Sequence, residues 1–307
     1  MNRTATLICL HTLRTGTTLT TSPPSAATTV SGKPAVRKPA TGTQAIERAI
    51  LLMKLLATRG RFGWGLTEIS RRAGLDKATV RRILACLESE RLAGRNFRDH
   101  RYLPGPLMIE LGLSVFPYQS FLDECRSSIT RLSRRTGGAS FIYLRSGYEF
   151  VVAGRAEETF HKGMLNEIGF RRPLISSAGG IAILIALPAR ERAAIVRQNL
   201  DELTRMGTVK PERFKQMLER SQDAGLAVNL EDVATGINSF ALSVPDHTGA
   251  PLAALSVAGP PHLFPAAQAE RFAGMLSKEV ASLVRSGGEL FPDRGLARNA
   301  GSEEAAS

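Results

Sequence analysis

Long apolar runs are missing from this chain of 307 residues. A membrane-crossing helix needs about 20 consecutive apolar residues, and the longest candidate, IAILIAL from Ile181 to Leu187, ends at Pro188, so no membrane partner is expected. Cysteine is scarce as well. Cys9, Cys86 and Cys125 are odd in number, far apart and outside any C-x-x-C spacing, which argues against a disulfide framework or a zinc site and points to the cytoplasm. Cys86 falls near the apolar face of a helical pattern and reads as a small packed hydrophobe. The common catalytic frames are absent too: no G-x-S-x-G elbow, no G-x-x-x-x-G-K-[ST] phosphate loop and no H-E-x-x-H pair occurs. His161, His247 and His262 stand alone. The expectation is a protein that is not an enzyme, with no metal and no cofactor.

Acids are missing before Glu47, where Thr, Ser, Pro and Ala dominate and Arg3, Arg14, Lys33, Arg37 and Lys38 supply the charge. Such a stretch buries too little apolar surface to fold. Residues 1–42 are therefore expected to be a disordered basic tail, or the product of a start placed too far upstream, rather than a targeting segment.

What the chain does have is positive charge, and it is concentrated. The formal net charge is +12, and residues 43–105 carry 13 Lys and Arg against 6 acids, more than half of that excess. Within this segment LTEISRRAGLDKATVRRILACLESERL, from Leu66 to Leu92, shows two amphipathic helical patterns meeting at a short break. Leu66, Ile69 and Ala73 line the first, and Gly74 stands where a helix C-cap needs positive φ. Asp76 is a good N-cap for the second, whose apolar face carries Val80, Ile83, Leu84 and Leu87. Lys77, Thr79, Arg81 and Arg82 lie on its other side, near the start, where a recognition helix presents side chains to bases and phosphates. AGRNFRDHRYLPGP follows, with two short extended pieces, Gly94 to Phe97 and Arg101 to Leu103, around a polar turn. A basic hairpin in that position is a wing, with Arg98 and Arg101 as its DNA contacts. Ahead of the pair, QAIERAILLMKLLATRG forms a supporting helix that Gly60 stops, and Trp64 is expected to pack rather than intercalate.

Downstream of Pro104-Gly105-Pro106, the apolar spacing of Leu107, Ile109, Leu111 and Leu113 predicts a linker helix interrupted at Pro117. FLDECRSSITRLSRRTG is a further helix. From Ala139 the pattern has period two: ASFIYLRSGYEFVVAGRAE reads as a hairpin turning at Ser146-Gly147. RRPLISSAGG leads into IAILIAL, two polar amphipathic helices follow, and two strands come next, Ile237 to Val244 and Pro251 to Ala258. A last helix spans about Pro265 to Arg285. Helices flanking an antiparallel sheet make this part α+β. SSAGG at Ser176 to Gly180 has two readings: exposed amides at a helix N-terminus that suit a carboxylate or phosphate, or small residues that let helix and sheet pack closely. Arg145, Arg155, Arg171 and Arg172 could draw an organic anion, with solvated surface charge as the default reading.

These segments, in this order, resemble the IclR family of bacterial transcriptional regulators over roughly Gln44 to Arg285. The likeness lies in AIERAILLMKLLA, LTEISRRAGLDKATVRRILACLE, RYLPGPLMIELG, RRPLISSAGG, NLEDVATGINSFALSVPDHTGAPLAALSVAGP and the closing helix. The resemblance implies a mixed fold: a winged helix-turn-helix domain (43–105), a linker helix (106–120), a GAF-like α+β effector domain with an antiparallel sheet (121–288) and a disordered tail (289–307). It implies a homodimer or dimer of dimers on palindromic double-stranded operator DNA, modulated by a small carboxylated or aromatic effector. The matching effector positions are Ala178, Gly179, Asn229, Ser239 and Ser256. Departures are visible: Ile175-Ser176 replace a His-Ala lead-in, Gly180-Ile181 replace a Gly-Lys, and Asn229 stands where an acid is common. Two alternatives remain at this stage, a basic architectural DNA binder that senses nothing and an enzyme built on the second domain.

Overall fold

The computed structural model describes residues 43–157, 167–206 and 211–290. The tail 1–42, residues 291–307 and His161 lie outside them. The N-terminal part begins with α1 (Gln44–Ala57), which buries Leu52, Leu55 and Leu56. A short 3-10 turn at Gly60–Phe62 separates it from α2 (Leu66–Ala73), so α1 ends three residues before the glycine expected to stop it. Gly74 closes α2 at φ 64°, a left-handed conformation glycine adopts without steric cost. Helix α3 (Lys77–Ser89) then starts at Asp76, whose carboxylate accepts the Thr79 N–H at 2.9 Å. Two short antiparallel strands follow, β1 (Ala93–Arg95) and β2 (Tyr102–Pro104). Relative to the extended pieces read from the sequence, β1 starts one residue earlier and ends two earlier and β2 is shifted one residue later, because the residues between them belong to a tight turn. Ten buried side chains close this core, among them Trp64, Ile69, Val80, Leu84 and Tyr102. Trp64 has no exposed surface, as packing rather than intercalation requires.

The connection is two helices, not one interrupted helix. α4 (Leu107–Leu113) ends at Ser114, and α5 (Phe116–Thr136) begins two residues later with proline in its first turn. Proline suits that position because its missing N–H would have no helical partner there. Pro117 thus opens a helix that runs well past residue 120.

The C-terminal part is built on a six-stranded antiparallel sheet in the order β5-β4-β3-β8-β7-β6. Its strands are β3 (Ala139–Ser146), β4 (Glu149–Ala156), β5 (Arg171–Pro173), β6 (Ala227–Leu230), β7 (Asn238–Pro245) and β8 (Pro251–Gly259). The outer strands β5 and β6 were not legible in the sequence: at three and four residues they are too short for an alternating pattern to show. One face is covered by α5 and α9 (Ala269–Leu290), the other by α6 (Ala178–Ala186), with α7 (Ala189–Met206) and α8 (Pro211–Ala224) outside it. Among the described residues no helix is long and apolar enough to cross a membrane, and no cluster of three His, Cys, Asp or Glu side chains is placed to hold a metal.

Candidate functional sites

The first site is the basic edge of α3 and the wing. Lys77, Arg81 and Arg82 are exposed, and Thr79 is half-buried with its amide bonded to Asp76. Among the described residues no ion pair is formed by Lys77, Arg81 or Arg82. Ala78, Ala85, Cys86 and Ser89 complete the exposed side. Cys86 is therefore exposed rather than packed; it lies one position off the apolar stripe of Val80, Leu84 and Leu87.

The wing arginines differ from one another. Arg98 is exposed, and its amide bonds to the Asn96 side chain at 2.9 Å. Arg101 is half-buried instead: its guanidinium donates to Gly63 O at 3.2 Å and to Glu68 Oε2 at 3.3 Å. Glu68 also accepts from Arg59 at 3.0 Å and from the Gly65 N–H at 3.0 Å. Burial alone would raise the Glu68 pKa, but the Gly65 amide, Arg59 and Arg101 outweigh it and hold the carboxyl below the ordinary glutamate value. Arg101 is thereby a clasp between wing and α2. Its pairing with a residue 33 positions away left no mark in the local pattern, where it read as a free wing arginine.

The second site lies between the sheet and α6. Strand register places Asn229 opposite Ser239, and Ser256 between Ala241 and Phe141. All three face α6, and all three are buried along with Ala178 and Gly179. The five effector positions are thus brought to one side of the sheet. Asn229 is fully occupied by the protein: its amide nitrogen donates to Ser239 Oγ at 3.0 Å and to Ile237 O at 3.2 Å, and its oxygen accepts the Val233 N–H at 3.1 Å. It ties down the loop between β6 and β7. A carboxylate at this position would face the Ile237 carbonyl with no proton to donate, which explains why an amide suits this chain.

The glycines of SSAGG answer to packing first. A Cβ on Gly179 would lie 2.1 Å from the Tyr143 ring, and one on Gly180 would lie 1.9 Å from the Leu174 carbonyl oxygen. Ser177 caps α6 by accepting the Gly180 N–H at 2.9 Å, so the amides of Ala178 and Gly179 are the ones ahead of the helical ladder. Of two concavities, one of about 720 Å³ lies elsewhere, lined by Thr130, Ser133, Arg155 and Glu167 among others, and one of about 250 Å³ lies between the later part of α6 and β7, lined by Ala182, Ile185, Ala241 and Ser243 among others. Neither is lined by any of the five positions.

The four arginines of this domain separate clearly. Arg145 pairs with Glu191, Arg155 with Glu157, and Arg171 with Glu149. Arg172 has no acid partner among the described residues, and its Nε is buried without an acceptor. It sits opposite Phe150 in the β4-β5 register, and Phe150 meets the Tyr143 ring edge-on at 4.8 Å. Arg172 therefore belongs to the α6 side, close to the ring that covers Gly179. Burial lowers its pKa, against a smaller opposing effect of Tyr143. Sequence reading treated all four as solvated by default. The distinguishing signal, a guanidinium opposite a buried phenylalanine, requires strand β5.

A basic reading helix with a clasped wing, joined through α4 and α5 to an α+β domain, defines a winged helix-turn-helix DNA-binding regulator of transcription. The chain belongs to the IclR family: the family described as Bacterial transcriptional regulator IclR C-terminal matches residues 119–285, and the IclR helix-turn-helix domain matches residues 45–96. It is 28% identical over 232 residues to the HTH-type transcriptional repressor AllR of Klebsiella pneumoniae, covering 75% of this chain and 85% of that one. Its relatives carry the names of repressors, not of enzymes. The fold is similar to that of a putative IclR transcriptional regulator from Silicibacter, with TM-score 0.66 and 21% identity over 81% of this chain and 99% of the other. It is also similar to an IclR homolog from Microbacterium hydrocarbonoxydans complexed with 4-hydroxybenzoate, with TM-score 0.62 and 17% identity over 80% and 100%.

Proposed function

We propose that this regulator acts in the cytoplasm as a homodimer, or a dimer of dimers, whose affinity for a palindromic operator changes when a small carboxylate enters the α6 side of the C-terminal sheet. The observation that carries the effector assignment is Arg172, a guanidinium on that side with no acid partner among the described residues. A half-buried cation with its Nε out of solvent and no counter-charge favours an anionic ligand, and a planar guanidinium fits a carboxylate in bidentate fashion. Ala178, Gly179, Ser239 and Ser256 contribute the small, polar remainder of the pocket, and Asn229 shapes it from the β6-β7 loop. A carboxylate complex of a relative with the same fold is in keeping with this reading.

Lys77, Thr79, Arg81 and Arg82 contact the major groove and Arg98 the adjacent backbone, while Arg101 holds the wing in place. The dimer is supported by Ile46 and Ile50 on α1 and by Ile109, Leu111 and Leu113 on α4, which are 40 to 71% exposed and would be covered by a second copy. Coupling follows by linkage: a ligand that prefers one spacing of two reading heads shifts the dimer toward or away from operator geometry. Titration calorimetry with benzoate, 4-hydroxybenzoate and glyoxylate beside their neutral amides tests the pocket. Carboxylate binding that weakens at least about tenfold in Arg172→Gln, with the amides unaffected, is the expected result; equal binding of acids and amides would overturn it.

A further inference from the structure

The wing tip carries a side chain that neither the core nor the reading helix uses. Phe97 is 97% exposed, the most exposed large hydrophobic among the described residues. Its position is fixed rather than incidental. Asn96 Oδ1 accepts the Arg98 N–H at 2.9 Å, Asp99 Oδ1 accepts the Arg101 N–H at 3.2 Å, and Asn96 exchanges backbone bonds with His100 and Arg101 at 3.0 and 2.8 Å. Two side-chain-closed turns back to back, with His100 at φ 57°, leave the tip little freedom. The Tyr102 ring of the wing is covered by the Arg95 guanidinium, 5.4 Å from the ring centre, and not by Phe97.

The root of the wing is fixed as well. Tyr102 and Trp64 exchange two backbone bonds of 2.9 Å, two residues ahead of α2, and Arg101 is clasped by Gly63 and Glu68. Docking α3 therefore brings Phe97 along at a set position. Charge decides what it meets there. Arg95 and Arg98 are exposed in the same hairpin, two residues before and one after Phe97, and the nearby acid Asp99 is engaged with Arg101. An exposed ring on a basic hairpin suits a polyanion with an apolar interior, which is a base-paired duplex rather than an apolar protein groove.

We infer that Phe97 is a wedge: when α3 occupies the major groove, the ring enters the neighbouring minor groove, partly unstacks one base step and bends the operator. The inference rests on duplex binding by α3 and adds to it a deformation of the DNA. It gives the regulator a preference for a flexible pyrimidine-purine step at a position where no base edge is read.

The test uses the full-length chain and a duplex that it selects from a random pool, labelled at both ends for energy transfer and carrying a fluorescent adenine analogue beneath the wing. Wild-type protein is expected to shorten the end-to-end distance and brighten the analogue. Phe97→Ala should lose both signals and bind about tenfold more weakly, with its major-groove footprint and thermal unfolding unchanged. Phe97→Leu should keep most of the bend, and Arg98→Ala should weaken binding while leaving the bend intact. A Phe97→Ala protein that bends the duplex like wild type overturns the inference, as does one whose defect lies in sedimentation behaviour instead of in the DNA. Failure of the underlying reading is separable: Arg82→Ala would then leave affinity for the selected duplex unchanged.

Discussion

On β7 and β8 the two faces of the six-stranded sheet carry opposite materials. Toward α5 and α9, β7 and β8 present Phe240, Leu242, Val244, Leu255 and Val257, and these meet Phe121, Ile129, Phe264, Phe272 and Leu276. Phe272 stacks between Phe240 and Phe264 at 4.8 and 4.9 Å. Toward α6 the same two strands present Ser239, Ala241, Ser243, Ala254, Ser256 and Ala258. Both faces are buried, so the difference is not one of solvent contact. Large side chains on one face supply the burial that holds the domain together. Small and polar ones on the other bring α6 close to these two strands, while β3 and β4 give that face Phe141, Tyr143, Phe150 and Val152. On β7 and β8, large apolar packing is thus kept to one side of the sheet and hydroxyls to the other.

That division can be broken at four places, in falling order of expected loss of stability. Phe240→Ala should cost about 3–5 kcal/mol, read as a lowered midpoint in urea, whereas Ser256→Ala on the other face should change it by less than about 1 kcal/mol; equal losses would mean that the α6 face is core too. Asn229→Asp should cost about 1–3 kcal/mol by setting a carboxylate oxygen against the Ile237 carbonyl where the amide now donates, and unchanged melting would show that the β6-β7 loop does not depend on the amide. Acid comes third. Glu279, on α9 behind the large-residue face, is paired with Arg131 of α5 at 2.6 Å. Burial acts to raise its pKa, yet Arg131 and Ser128 lower it below the ordinary glutamate value of 4.5. A depressed native pKa means the contribution is complete above the unfolded value and is lost as pH falls through the native one. Urea midpoints should therefore drop below about pH 4.5, and the drop should be shallower in Glu279→Gln. Smallest is Arg172→Leu, expected to leave stability unchanged or slightly raised, since it removes a half-buried charge with no partner. Destabilisation in that variant would make Arg172 a structural residue.

Legibility in the sequence followed the range of the interactions. Helices α2 and α3, the turn at Gly74 and the cap at Asp76 are local, and the pattern revealed them. The β3-β4 hairpin and the β7-β8 pair showed by alternation and turn residues. Strands β5 and β6 did not, because at three and four residues their length hides any period. The same limit governed the sites. Arg82 and Arg98 could be placed by position alone, but Arg101 belongs to Glu68, and Arg172 differs from Arg171 only through what stands across β4. Gly179 and Gly180 were read as suited either to an anion or to close packing. Tyr143 and Leu174 give the packing requirement a definite geometry.

Helix α5 ties the reading head to the sheet. From its second turn onward it lies in the large-residue core, through Phe121, Cys125, Ile129 and Leu132. Its beginning follows α4, which is bonded to the reading head through Gly105 on Leu92, Leu107 on Arg91, and the Arg91–Glu110 pair. Seven residues, 114–120, separate α4 from Phe121, so a shift of the large-residue face would reach the reading head with little slack to absorb it.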